Sequence, residues 1–140
     1  MNKKTIVIIT GFVLLVVTCV IMFSVQKRMI KLNDVEDISI LVKDENIGVV
    51  ISDLNDIKAF KKILSKYPVR DSPSCPFGYV EIQMNRHNGN VIFFPATDGC
   101  QIIKTNDKYL HLSDNEWECL IQILKKYDID RSLLESGKGI

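Results

Sequence analysis

The chain contains no G-x-S-x-G elbow, no phosphate-binding glycine loop, no H-E-x-x-H and no dinucleotide-binding glycine pattern. None of the short arrangements that mark a nucleophile, a phosphate cradle or a zinc protease is therefore present. Its four cysteines include no C-x-x-C pair, and neither His87 nor His111 has a second ligand at close spacing. That removes the redox motif and the compact metal motifs. A basic stripe is missing too. From Met29 onward 14 Lys/Arg face 17 Asp/Glu, a formal balance of −3, which argues against nucleic acid as a partner. Repeats of solenoid period and low-complexity tracts are absent, and 140 residues suffice for one domain with appendages.

Acidic residues are lacking altogether from residues 1–28, where Lys3, Lys4, Lys27 and Arg28 supply a charge of +4. Between these cations runs an uncharged stretch of 21 residues from Thr5 to Val25. As a helix it would span roughly 30 Å, the thickness of a hydrocarbon core. No small-x-small site occurs at Phe23-Ser24-Val25-Gln26, and Val16-Val17-Thr18 before Cys19 is a poor lipobox. The run thus predicts a retained transmembrane signal-anchor, over the alternatives of a cleaved signal peptide or a lipoprotein. Cations flank both ends, so their count does not decide the orientation. The short N-terminal tail and the cysteine usage favour a single-pass cell-membrane protein whose C-terminal domain lies outside the cytoplasm.

Beyond the anchor (residues 1–28), residues 29–37 read as a linker, 38–128 as an extracytoplasmic domain and 129–140 as a polar tail. Ile38–Val42 and Ile47–Ile51 are strand-like around a Lys43–Asn46 turn. Ser52-Asp53 caps a helix to about Tyr67, with Ile57, Phe60, Ile63, Leu64 and Tyr67 on one stripe and Pro68 as its stop. The alternation of Tyr79–Asn85 and the Asn88-Gly89 turn predict a hairpin returning through Val91–Phe94. A further hairpin folds at Asn106-Asp107, and Ser113–Glu116 forms a capping box opening a second helix. The order is ββα then ββββα: an α+β fold with an N-terminal transmembrane helix, an antiparallel sheet, and two helices packed on one face.

The Ser-Pro-Ser-Cys-Pro-Phe-Gly-Tyr loop (residues 72–79), the Ala-Thr-Asp-Gly-Cys turn (96–100) and the Tyr-Leu-x-Leu-Ser-Asp helix entry (109–114) follow this short anchor. Over residues 47–127 the combination resembles small tethered extracytoplasmic proteins of Gram-positive bacteria whose activity is unassigned. The resemblance implies location and architecture and carries over no catalytic residue, cofactor or metal.

Cys75 and Cys100 both lie in loops bordering strands, where the approach a disulfide needs is available. In an exported domain they are read first as a structural disulfide, with unpaired thiols and a metal or redox pair as alternatives. Asp98 is a loop carboxylate, most simply a turn residue beside Gly99. Cys119 is expected against the core, and Lys58, Lys61, Lys62 and Lys66 on a solvated helix face. Registering the hairpins sends Val80, Ile82, Met84, Val91 and Phe93 toward the helices. Tyr79, Glu81, Gln83, Ile92 and Phe94 then share the outer face with Ile102, Lys104, Tyr109 and His111. This face is more apolar than a plain solvated one, unless the N-terminal hairpin covers it. The leading expectation is a membrane-tethered, non-enzymatic module contacting an envelope protein through that face, without a cofactor. Its rivals are a small envelope enzyme or redox protein using Cys75, Cys100 and Asp98, and a membrane-associated immunity or resistance protein.

Overall fold

A computed structural model describes residues 11, 13–17 and 29–137. Six strands form one antiparallel sheet: β1 (Val35–Val42), β2 (Ile47–Ile51), β3 (Val80–Arg86), β4 (Val91–Pro95), β5 (Ile102–Thr105) and β6 (Lys108–His111), in the order β2-β1-β3-β4-β5-β6. Helix α1 (Leu54–Leu64) lies between β2 and β3, while α2 (Asp114–Lys125) and the single turn α3 (Arg131–Leu134) follow β6. The α+β class and the ββα–ββββα order agree with the sequence reading.

The membrane-spanning helix does not. Among the described residues no helix is long and apolar enough to cross a membrane. Within the predicted run only Gly11 and residues 13–17 are described, as helix. The anchor as part of the fold, and the single-pass assignment resting on it, are corrected accordingly. The remainder of the predicted run lies outside the described residues.

Local chemistry accounts for both longer helices. Asp53 caps α1, its Oδ1 accepting the N–H groups of Asn55 and Asp56 at 2.9 and 3.0 Å, two donors that otherwise lack partners in a first turn. Ile57, Phe60, Ile63 and Leu64 then bury one stripe, and the helix closes at Ser65, two residues before the expected end at Tyr67. In α2 the Glu116 carboxylate reaches back to the Ser113 N–H at 2.8 Å, completing the capping box. Trp117, Leu120, Ile121, Ile123 and Leu124 of α2 are buried. Cys119 is exposed instead of facing the core, because two residues beyond Trp117 a helix has turned about 200°.

Glu116 also accepts from Lys66 Nζ at 2.5 Å, tying the end of α1 to the start of α2. Burial pushes this carboxyl up, but Lys66 and the Ser113 donors outweigh it and hold the pKa at about 2. A depressed carboxyl contributes stability above its unfolded value of 4.5 and loses it as the pH falls toward 2. Denaturant midpoints measured from pH 6 to pH 2 should therefore fall across that window. Glu116→Gln should flatten the decline, and an unchanged slope would deny Glu116 this role.

The sheet buries one face. Ile38, Ile40, Val42, Ile51, Val80, Ile82, Met84, Phe93, Ile103 and Leu110 are buried in the core that contains the helix stripes. Two segments expected to be peripheral join it: Leu32 from the predicted linker, and Ile129 and Leu134 from the predicted tail. The β5–β6 register, Lys104 opposite Tyr109 and Ile102 opposite His111, is the expected one. In the β3–β4 hairpin Ile82 pairs with Phe93 and Met84 with Val91, two residues from the pairing of Met84 with Phe93 that a two-residue Asn88-Gly89 turn predicts. The turn runs Arg86–Gly89, with the Gly89 N–H on Arg86 O at 3.2 Å and Gly89 at φ +103°. A shift of two leaves every side chain on its predicted face, since the strand period is two.

Candidate functional site: the outer sheet face and a cysteine–aspartate cluster

The N-terminal hairpin lies within the sheet beside β3 and does not cover the outer face. Another segment covers part of it. Val69 pairs with Tyr109 by two backbone hydrogen bonds of 2.9 Å, beyond β6. From there residues 70–78 must return past β6, β5 and β4 to reach β3, and Phe77 packs on Tyr109 at 5.7 Å between ring centroids. Ile92, Phe94, Ile102, Lys104 and Tyr109 are accordingly half-buried, and His111 is exposed. Phe94 also carries the Lys43 ammonium 6.0 Å from its ring centre. Tyr79 is buried; its hydroxyl donates to Glu45 Oε1 at 3.1 Å.

The middle of the face is polar. Asn85 Nδ2 donates to Asp37 Oδ1 at 2.5 Å and to Ser39 Oγ at 2.9 Å, and Gln83 Nε2 donates to Asn85 Oδ1 at 2.6 Å. Glu81 and Gln83 are half-buried on this strip. At the far end Leu41 and Val50 are 43% and 66% exposed. The face expected as one mixed patch is thus three zones: a half-buried apolar part where Phe77 packs on Tyr109, a hydrogen-bonded strip, and an open apolar end. The Asp37, Ser39 and Asn85 ladder carried no motif; only strand pairing brings these side chains together.

Lysines of α1 and of the turn after it divide in the same way. Lys58 and Lys62 are exposed, whereas Lys61 Nζ donates to Asn33 O and Lys66 bonds Glu116 and His111 O. His111 Nε2 lies 2.6 Å from Asp71 Oδ2. Met29, Ser65, Lys66, Tyr67, Val69 and His111 line a shallow cleft of about 430 Å³ there. His87 sits exposed at the β3–β4 turn, so the histidines occupy different surroundings.

Cys75, Asp98 and Cys100 converge: one ligand atom from each lies within 4.8 Å of the other two. Both cysteines are half-buried free thiols, without a bond between them. The Cys100 backbone N–H donates to Asp98 Oδ1 at 3.1 Å around Gly99 at φ +81°, a side-chain turn that asparagine and aspartate favour. Thr97 N–H donates to Pro76 O at 3.0 Å, and Gly137 N–H donates to Thr97 O. Three chain segments therefore meet at this corner. The neighbouring Cys75, burial and the Asp98 carboxylate push the Cys100 thiol up to about 12, since each resists a further negative charge beside it. In comparisons with protein-family models, curated proteins and solved structures, no match to this chain is found.

Proposed function

We propose that the domain is a non-enzymatic binding module that holds a protein partner at the β1–β2 end of its outer sheet face, with an extended segment of the partner pairing along β2. The observation that carries this reading is an unprotected edge. β2 reads Ile-Gly-Val-Val-Ile, without a charge or proline, pairs with β1 in unbroken register, and has no described strand beyond it. Natural sheets blunt such edges with charges, bulges or covering segments, and here the β6 edge is covered by Val69. An added strand gains main-chain hydrogen bonds along β2, and its alternate side chains reach Leu41 and Val50.

Val50→Lys and Leu41→Glu should each abolish capture of the partner by crosslinking while changing stability by no more than about 0.5 kcal/mol, the usual range at exposed sites. Crosslinks from the wild-type chain should map to β1 and β2. Identical capture by the variants and the wild type would remove the reading. A second, thiol-based reading is favoured by the convergence of Cys75, Asp98 and Cys100.

A further inference from the structure

We propose that Cys75, Asp98 and Cys100 form a binding site for a thiophilic divalent cation of the zinc type. The donors come from two loops 25 positions apart in the chain, yet their ligand atoms lie within 4.8 Å of one another. Tetrahedral zinc with its usual bond lengths separates neighbouring donors by about 3.5–3.8 Å. Closing the cluster onto an ion thus requires shifts of about an ångström or less. The frame that would hold it is built from the backbone: Thr97 on Pro76 joins the two loops beside the donors, and Asp98 holds the Cys100 N–H. That bond occupies one carboxylate oxygen and leaves Asp98 Oδ2 to coordinate.

A divalent cation deprotonates coordinating thiols outright. Binding therefore competes with protons for its ligands and tightens as the pH rises. Two sulfurs with one oxygen select zinc-like ions over magnesium or calcium, which take oxygen ligands. Three protein donors leave a fourth position for water or for a ligand atom from outside. The ion would fasten residues 70–78 to the β4–β5 connection, and so hold Phe77 on Tyr109. None of this depends on the partner at β2.

The test uses the full chain, metal-free and kept reduced by a phosphine, titrated with Co2+ as the probe. One equivalent should produce a near-ultraviolet thiolate-to-cobalt charge-transfer band and the intense visible bands of four-coordinate geometry, and Zn2+ should displace both. Cys75→Ser and Cys100→Ser should lose the charge-transfer intensity. Cys119→Ser should keep it. Asp98→Asn, at an exposed position, should shift the visible bands and weaken binding, with a melting curve confirming that this variant is folded. Absence of the charge-transfer band in the reduced wild-type chain under excess Co2+ would overturn the site. So would bands that persist in both Cys75→Ser and Cys100→Ser, or that are unaltered by Asp98→Asn.

Discussion

Phe93→Ala should lower the unfolding free energy by about 3–5 kcal/mol, the range for emptying a buried aromatic site, while Phe94→Ser one position later should cost about 1 kcal/mol. Phe93 is 0% exposed and belongs to the core with Ile82 opposite it. Phe94 is half-buried on the other face, beside Lys43. Adjacent residues of one strand differ so much because successive side chains leave the backbone on opposite sides. Urea midpoints of the two variants, compared with a common slope, provide the measurement. Equal losses would mean that the outer face is packed as tightly as the inner one, and would contradict its half-exposed description.

Asp56→Ala should cost about 2–3 kcal/mol, a large effect for a single polar group on a helix. Asp56 is 6% exposed, in the first turn of α1. Its Oδ1 accepts from Lys126 Nζ at 2.7 Å and its Oδ2 from the Tyr127 hydroxyl at 2.8 Å, joining α1 to the end of α2. Lys126 is 61% exposed, so after the substitution its ammonium returns to water at little cost. The Tyr127 hydroxyl, half-buried, is left with less solvent to replace its partner. Tyr127→Phe combined with Asp56→Ala should therefore cost less than the sum of the single variants. Strict additivity would place the Asp56 contribution elsewhere.

The same group makes a pH argument with a definite sign. The hydrogen bond from Lys126 leads in lowering the Asp56 pKa, burial opposes it, and the Tyr127 hydroxyl and the Lys126 charge add to the lowering. A lowered carboxyl stabilises above its unfolded value of 3.8 and loses that contribution as the pH falls through the folded value. Burial and then the Asp56 carboxylate push Tyr127 up to about 12, so its proton, and with it the hydrogen bond, is retained across the neutral and mildly alkaline range. The acid-side loss should be smaller in Asp56→Ala than in the wild type.

Several features of this protein followed from the sequence by itself, because the interactions behind them are local. Asp53 and Ser113 mark helix starts through donors two or three residues away, and the stripes of α1 and α2 follow from a period of 3.6. The faces of Val80 to Met84 and of Val91 to Phe94 follow from a period of two, which survived even a two-residue error in the turn. Cys75, Asp98 and Cys100 were visible as loop residues with chemistry to offer. The tertiary structure alone decided that β1 pairs with β3 as well as β2, and that residues 70–78 return across the outer face. It also turned Ile129 and Leu134 from a tail into core, and brought three donors within 4.8 Å. Each of these joins residues distant along the chain, and their choice depends on which apolar surfaces the whole sheet leaves to be covered. No local pattern records that. A period states which side of an element is apolar, and the competition among all the elements settles what lies against it.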